Sequence, residues 1–253
     1  MDHRALLAAA ELNLHETWRM TPSILEGAAV EEDESLLMAA SGAPLAAFNR
    51  AYVLDAEAVS ADDVFARASD FFGSRGLPFS VWTRVENAES FRAAAAGAGM
   101  SEAGKAPAMV LWPVPELPPA PPDPLVEPVS EGRSVDEHVR VTAEGFGLPP
   151  EAIGPFIRGA VPSGLYFGLN GSVNGSVVAV SAAIVTGDVA GVYNVATLAQ
   201  HRRKGLGEAM TWAAVRDGLH RGGRLVTLQS SEAGFSTYSR MGFRTVVEHV
   251  GFF

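Results

Sequence analysis

"VYNVATLAQHRRKGLGEAM", residues 192–210, has the pattern of a strand that runs into a short loop and then a helix. If the helix begins at Gly205, then Leu206, Ala209, Met210 and Ala213 recur at i, i+3, i+4 and i+7, giving one apolar face to lay on a sheet. The first turn of such a helix carries N–H groups with no partner inside the helix, and with the helix dipole these favour an anion. Gly205 and Gly207 lack a Cβ, so an oxygen-rich ligand can approach the backbone itself. Arg202, Arg203 and Lys204 add positive charge at the same point. The stretch predicts a strand, a turn and a helix arranged around a phosphate or pyrophosphate.

The surroundings narrow the possibilities. The chain has 253 residues, 47% of them hydrophobic, enough to bury a sizeable core. Its formal net charge of −10 would repel a nucleic acid at long range. That charge is uneven: residues 1–112 carry 16 acidic and 8 basic side chains, whereas residues 190–253 carry 4 acidic and 8 basic. No stretch approaches the roughly 18 uncharged apolar residues of a membrane helix, and "MDHRALLAAAELNLHETW" lacks the pattern of a signal peptide. A cytoplasmic protein is expected, without membrane or nucleic-acid partners. With no cysteine, a thiol cannot carry an acyl group. The six histidines show neither HxH nor HExxH spacing, so no metal site is expected.

Residues 112–128, "WPVPELPPAPPDPLVEP", hold eight of the sixteen prolines and predict an extended spacer. Three segments follow: an N-terminal domain 1–112, a linker 113–124 and a C-terminal domain 125–253. The two halves align in outline, with Asn49 near Asn194 and Gly99-Met100 near Gly242-Phe243, at offsets of 145 and 143. Both alternate strand, helix, strand, short helix and strand. The first half opens on a helix in which Leu7, Ala10, Leu14 and Trp18 recur at helical spacing. In the second, Ser134 and Glu137 have capping-box spacing before a helix over 135–146, and Pro150 suits the first turn of another. "LYFGLN", "SVVAVSAAIV" and "GVYNVAT" are strand-like, with turns at "NGSVNG" and "TGDVAG". Helices, an antiparallel meander and a βαβ unit make an α+β domain with a mixed, mostly antiparallel sheet flanked by helices.

The glycine loop does not satisfy the P-loop, because Gly207 is followed by Glu208 and Ala209. It does not satisfy the dinucleotide fingerprint either, because Met210 stands where the third glycine belongs. It does satisfy R-x-x-G-x-G, as Arg202-Arg203-Lys204-Gly205-Leu206-Gly207, and here the chain resembles the GNAT superfamily of acyl-CoA-dependent N-acyltransferases. A second resemblance lies in Tyr238-Ser239-Arg240-Met241-Gly242-Phe243, similar to the family's Tyr-x-x-x-Gly-Phe segment. Gly242 suits a helix end with positive φ and Phe243 a plug in the core.

The resemblance implies a GNAT-like fold in tandem arrangement, with the first half a degenerate copy, and an N-acetyltransferase that uses acetyl-CoA. It places the pantetheine arm of coenzyme A along the backbone of Val195, Ala196 and Thr197. It places the pyrophosphate on Arg202, Arg203, Lys204, Gly205, Leu206 and Gly207. It also makes Tyr238 the acid that protonates the departing thiolate. The implied acceptor is a small-molecule or peptide amine; a homodimer is the assembly entertained. The family often carries a glutamate near this strand, but "GVYNVAT" has none. Glu144 and Glu232 are the nearest carboxylates by topology, and the general base stays unassigned. A non-catalytic acyl-CoA-binding module is the alternative reading.

Overall fold

The computed structural model describes residues 1–253, the whole chain. In chain order the elements of the first half are α1 (His3–Arg19), α2 (Thr21–Ile24), β1 (Ala29–Glu32), β2 (Leu36–Ala40), β3 (Asn49–Val53), α3 (Ala61–Gly73), β4 (Ser80–Arg84), α4 (Ala88–Gly97) and β5 (Glu102–Leu111). Those of the second are β6 (Leu125–Pro128), α5 (Arg133–Phe146), α6 (Pro150–Ser163), β7 (Phe167–Val173), β8 (Ser176–Thr186), β9 (Val189–Thr197), α7 (Leu206–His220), β10 (Leu225–Gln229), α8 (Glu232–Arg240) and β11 (Arg244–Phe252).

Two compact units result, and they do not end where the proline spacer suggests. One comprises Met1–Glu16 and Met109–Arg244, the other Thr17–Ala108 and Thr245–Phe253. The physical reasons are local. β11 pairs antiparallel with β4, from His249 opposite Arg84 to Phe252 opposite Val81. The start of α1 joins the unit of Met109–Arg244 through Asn13, which is fully buried. Its Nδ2 donates to Ile184 O at 3.2 Å and to Thr186 Oγ1 at 3.1 Å, and its Oδ1 accepts from the Tyr193 hydroxyl at 2.8 Å. The helix periodicity that pointed to Leu7 and Trp18 is thus shifted by the partner surface, and Leu6, Ala10, Asn13, Leu14 and His15 are the buried positions.

The unit of Thr17–Ala108 and Thr245–Phe253 holds the β1–β2 hairpin, β3 antiparallel to β2, and β4 parallel to β3. Its core is aromatic: Phe65, Phe71, Phe72, Phe91 and Phe252 are buried together. At the start of α3 the Ser60 hydroxyl accepts from Asp63 N, and Asp62 and Asp63 occupy the first turn. This helix start is already capped and negatively charged, the opposite of an anion site.

The other unit runs as an antiparallel meander β6-β7-β8-β9, after which β10 returns parallel to β9. Residues 112–124 form no regular element, and 125–128 pair as an edge strand, where prolines are tolerated. The "NGSVNG" turn is narrower than expected. β7 continues through Val173, and only Asn174 and Gly175, at φ 51° and 76°, make the reversal of a two-residue hairpin. Asn170 therefore lies within a strand. α5 begins at Arg133 behind Gly132 with no side-chain cap, because Ser134 Oγ takes the N–H of Ser130 and the Asn170 amide instead. On α7 the buried face is Leu206, Met210, Thr211, Ala214, Val215 and Gly218, rotated from the expected one so that Ala209 and Ala213 sit at its margin. Gly218 sets that rotation, since a Cβ there would stand 2.6 Å from the Cβ of Ala190.

The internal repeat holds in outline with a different register. Arg50 to Tyr52 pair with Ser80 to Trp82, as Val189 to Gly191 pair with Leu225 to Thr227, an offset of 139 between β3 and β9 and of 145 between β4 and β10. Asn49 begins its strand, whereas Asn194 lies deep in β9. Replacing Asn13 by Ala removes its bonds to the Ile184 carbonyl, to Thr186 Oγ1 and to the Tyr193 hydroxyl, which keeps the longer bond to the backbone carbonyl of residue 13 at 3.4 Å. It should cost about 2–4 kcal/mol, read as a lower urea midpoint at unchanged slope.

Candidate active site

β9 is the element on which the site is built. Val180 pairs with Ala196 and Ala182 with Tyr193, so Asn194 and Val195 together face the single residue Ser181. This is a β-bulge, and Asn194 adopts φ +50° within it, a conformation that asparagine tolerates better than most residues. On its other edge β9 pairs with β10 only through Gly191. From Val192 to Thr197 that edge of the backbone is unpaired with β10, and an extended chain can lie along it. This stretch includes Val195, Ala196 and Thr197. At the far end of β10, beyond the last paired residue Thr227, the Gln229 Nε2 amide is buried with no acceptor in the protein. A buried donor of this kind is rare and is open to an acceptor from a water or a ligand. Sequence reasoning missed it, and a polar residue closing the run "LVTLQ" was the only signal available.

The loop after β9 supplies further donors. Left-handed backbone at Arg203 and Gly205, φ 65° and 79°, curls the chain into α7, whose first internal acceptor is Gly205 O, bonded by Ala209 N at 3.0 Å. The N–H groups of Arg203, Lys204, Gly205, Leu206, Gly207 and Glu208 therefore point to no protein acceptor. A row of free N–H groups at a helix start is the geometry that binds phosphate oxygens. The three cations divide the work. Arg202 donates to Thr197 O at 3.0 Å and to Gly145 O at 2.9 Å, which ties the loop to β9 and α5. Arg203 and Lys204 are exposed and make no such bond. Gly145 is held tightly for the same purpose, since a Cβ there would stand 2.8 Å from Ala196 Cβ. These residues fit a pyrophosphate followed by an amide-bearing arm.

Tyr238 lies on α8 with its ring turned back over Gly234, where a Cβ would meet the phenol carbons at 2.6 Å. Burial pushes its hydroxyl pKa up, with the Thr211 side chain of α7 opposing the shift. Thr211 Oγ1 itself donates to Gly207 O at 2.8 Å, so the phenol stands one side chain away from the glycine loop. Gly242 ends the segment at φ +97°, and Phe243 is buried in the core beside Tyr238 with ring centroids 6.1 Å apart. The two carboxylates considered as bases are not drawn into this arrangement. Glu144 pairs with Arg140 at 3.5 Å on the exposed side of α5, and Glu232 is exposed in the first turn of α8.

A buried polar network reaches the bulge from the opposite direction. His138 on α5, fully buried, bonds through Nδ1 to Asn170 Oδ1 at 3.0 Å and through Nε2 to the Tyr166 hydroxyl at 2.7 Å. The same hydroxyl accepts from Asn194 Nδ2 at 3.0 Å. Burial lowers the His138 pKa to about 4, against a bonding contribution from Asn170 that raises it, so the ring is neutral at pH 7. Burial also pushes the Tyr166 phenol up, so it keeps its proton. Each bond joins residues 28 or more apart in the chain, and no local pattern links the bonded pairs.

Residues 144–243 match the profile of the Acetyltransferase (GNAT) family. Solved structures extend the likeness of fold to nearly the whole chain. A GCN5-related N-acetyltransferase from Kribbella flavida is 17% identical, covers 96% of this chain and 94% of its own, and superposes with a TM-score of 0.70. A GCN5-related N-acetyltransferase-like protein from Streptococcus suis is 12% identical over 97% of this chain and 98% of its own, with a TM-score of 0.61. A tandem GNAT protein from the clavulanic acid biosynthesis pathway is 13% identical over 90% and 83%, with a TM-score of 0.59. No curated protein sequence matches the chain significantly. No helix is long and apolar enough to cross a membrane.

The buried histidine has a measurable signature. Its ordinary value of 6.5 applies to the unfolded chain and about 4 to the fold, so between those values the unfolded chain binds more protons. His138 should therefore subtract stability as pH falls from about 7 to 4, by about 3 kcal/mol in total. Urea midpoints of the parent and His138→Gln measured across that range should converge toward pH 4; parallel curves would refute the assignment.

Proposed function

We propose that the unit containing residues 109–244 transfers an acetyl group from acetyl-CoA to a primary amine by direct attack. The observation that carries this reading is the succession of two donor segments: the open edge of β9 is followed, after the internally bonded turn 198–202, by the free N–H row from Arg203 to Glu208. Bound acetyl-CoA supplies an acyl group activated as a thioester. Arg203 to Glu208 hold its pyrophosphate, with Arg203 and Lys204 adding charge and Arg202 keeping the loop in place. The edge from Val192 to Thr197, with Val195, Ala196 and Thr197 nearest the loop, and the Gln229 amide meet the polar groups of the arm. Tyr238, kept protonated by burial, gives its proton to sulfur as the C–S bond breaks and the amine nitrogen bonds to the acyl carbon. No carboxylate lies on β9, so the amine arrives neutral or loses its proton to water.

That lack of a carboxylate is also the one observation favouring acyl-CoA binding without transfer. Calorimetry and thiol-release assays with a panel of primary amines separate the two. Saturable acetyl-CoA binding with amine-dependent thiol release supports transfer, and binding without release under every amine supports the other. At Gly207 a Cβ would meet only Thr197 Oγ1 at 3.9 Å, so Gly207→Glu should fold normally. Its carboxylate should weaken acetyl-CoA affinity by about 100-fold or more through like-charge repulsion at the anion site. Tyr238→Phe should leave the acetyl-CoA Kd within about threefold and lower kcat by roughly 100-fold, the scale of a lost general acid.

A further inference from the structure

The polarity of the buried network is fixed at one end and can be followed to the other. Asn170 Nδ2 donates to the Ser134 carbonyl at 2.9 Å, which can only accept, so the oxygen of the Asn170 amide faces His138. His138 Nδ1 must therefore carry the hydrogen, and in the neutral ring Nε2 is then an acceptor. The Tyr166 hydroxyl donates to that nitrogen and has only lone pairs left for its second neighbour. Asn194 must present its Nδ2 to Tyr166, which turns Asn194 Oδ1 away from the network. That oxygen accepts no hydrogen bond from the protein. It stands at the bulge, on the segment of β9 that no longer pairs with β10.

An amide oxygen held in this way can do little except accept. Facing the thioester oxygen it would be repelled as negative charge develops there, and as a neutral amide it is far too weak a base to remove a proton. It suits an N–H donor that must be aimed. Resting on the acyl-transfer reading above, we infer that Asn194 Oδ1 accepts a hydrogen bond from the incoming amine and so directs the nitrogen lone pair at the acyl carbon. Tyr166 and His138 are positioning residues that act through Asn194. The proton shed by nitrogen passes to water and the sulfur receives the Tyr238 proton, so the network moves no proton. Its neutral histidine and protonated phenol suit a fixed scaffold.

The test uses the full chain, acetyl-CoA and the amine that gives the fastest thiol release. Asn194→Gly keeps the positive φ while removing the side chain, and Tyr166→Phe removes only the hydroxyl. Asn194→Gly should leave the acetyl-CoA Kd within about threefold and lower kcat/KM for the amine by about 100-fold, the scale of a misaimed nucleophile. Tyr166→Phe should lower it about tenfold, and the double variant should fall no further than Asn194→Gly alone, because the hydroxyl acts only through the amide. Nitrogen-15 NMR of His138 in the unliganded protein should show hydrogen on Nδ1. Parental turnover in Asn194→Gly, multiplicative losses in the double variant, or hydrogen on Nε2 would each overturn the inference. A large loss of acetyl-CoA affinity in Asn194→Gly would also overturn it, assigning the oxygen to the cofactor arm. If the parent binds acetyl-CoA and releases no thiol with any amine, the acyl-transfer reading fails with it, while hydrogen on Nδ1 would still establish the polarity.

Discussion

The extra residue that β9 inserts opposite Ser181 is the constraint from which the site follows. Antiparallel pairing with β8 continues on both sides of the bulge, whereas parallel pairing with β10 stops before it, at Gly191. A backbone edge inside a domain is normally paired, since an unsatisfied buried N–H or C=O costs about as much as a lost hydrogen bond. Here the edge stays open and is supported from the sides. Asn13 braces Tyr193, Tyr166 holds the Asn194 amide, and Arg202 spans Thr197 and Gly145. The strand is thus stiff where it is unpaired, which is what a docking edge requires.

The first half of the chain shows what happens without that bulge. β3 has five residues against the nine of β9, and it ends one residue after its parallel pairing with β4. No open edge is left. The helix that follows begins with a serine cap and two aspartates, so its N-terminal donors are partly satisfied and its field suits cations. The same strand-helix-strand outline therefore builds a packed, phenylalanine-filled unit in one half and, in the other, a helix start whose N–H groups have no protein acceptor. Fold and function separate at the level of a few residues.

Much of the corner was legible in the sequence because it is local. Two glycines, three cations and an amphipathic helix within 200–220 announce a loop and a helix start, and Tyr238, Gly242 and Phe243 fall where their spacing implies. The distant pairings were not legible. His138, Tyr166, Asn170 and Asn194 meet only after α5, β7 and β9 pack, and the burial of the Gln229 amide is likewise set by tertiary packing. Compact-unit boundaries failed for the same reason: a proline-rich spacer marks where the chain is extended and says nothing about α1 or β11 crossing over. The turn at "NGSVNG" was read too wide, since asparagine and glycine favour turns while Asn170 is retained in a strand by its bonds to Ser134 and His138.

The central claim is that two successive backbone segments, 192–197 and 203–208, bind one ligand. Amide hydrogen exchange followed residue by residue, with and without coenzyme A, tests it most directly. Slowed exchange confined to residues 192–197 and 203–208, with residues 55–63 at the start of α3 unaffected, is the predicted result. Unchanged exchange in 203–208 at saturating ligand, or protection that appears instead around α3, would contradict it.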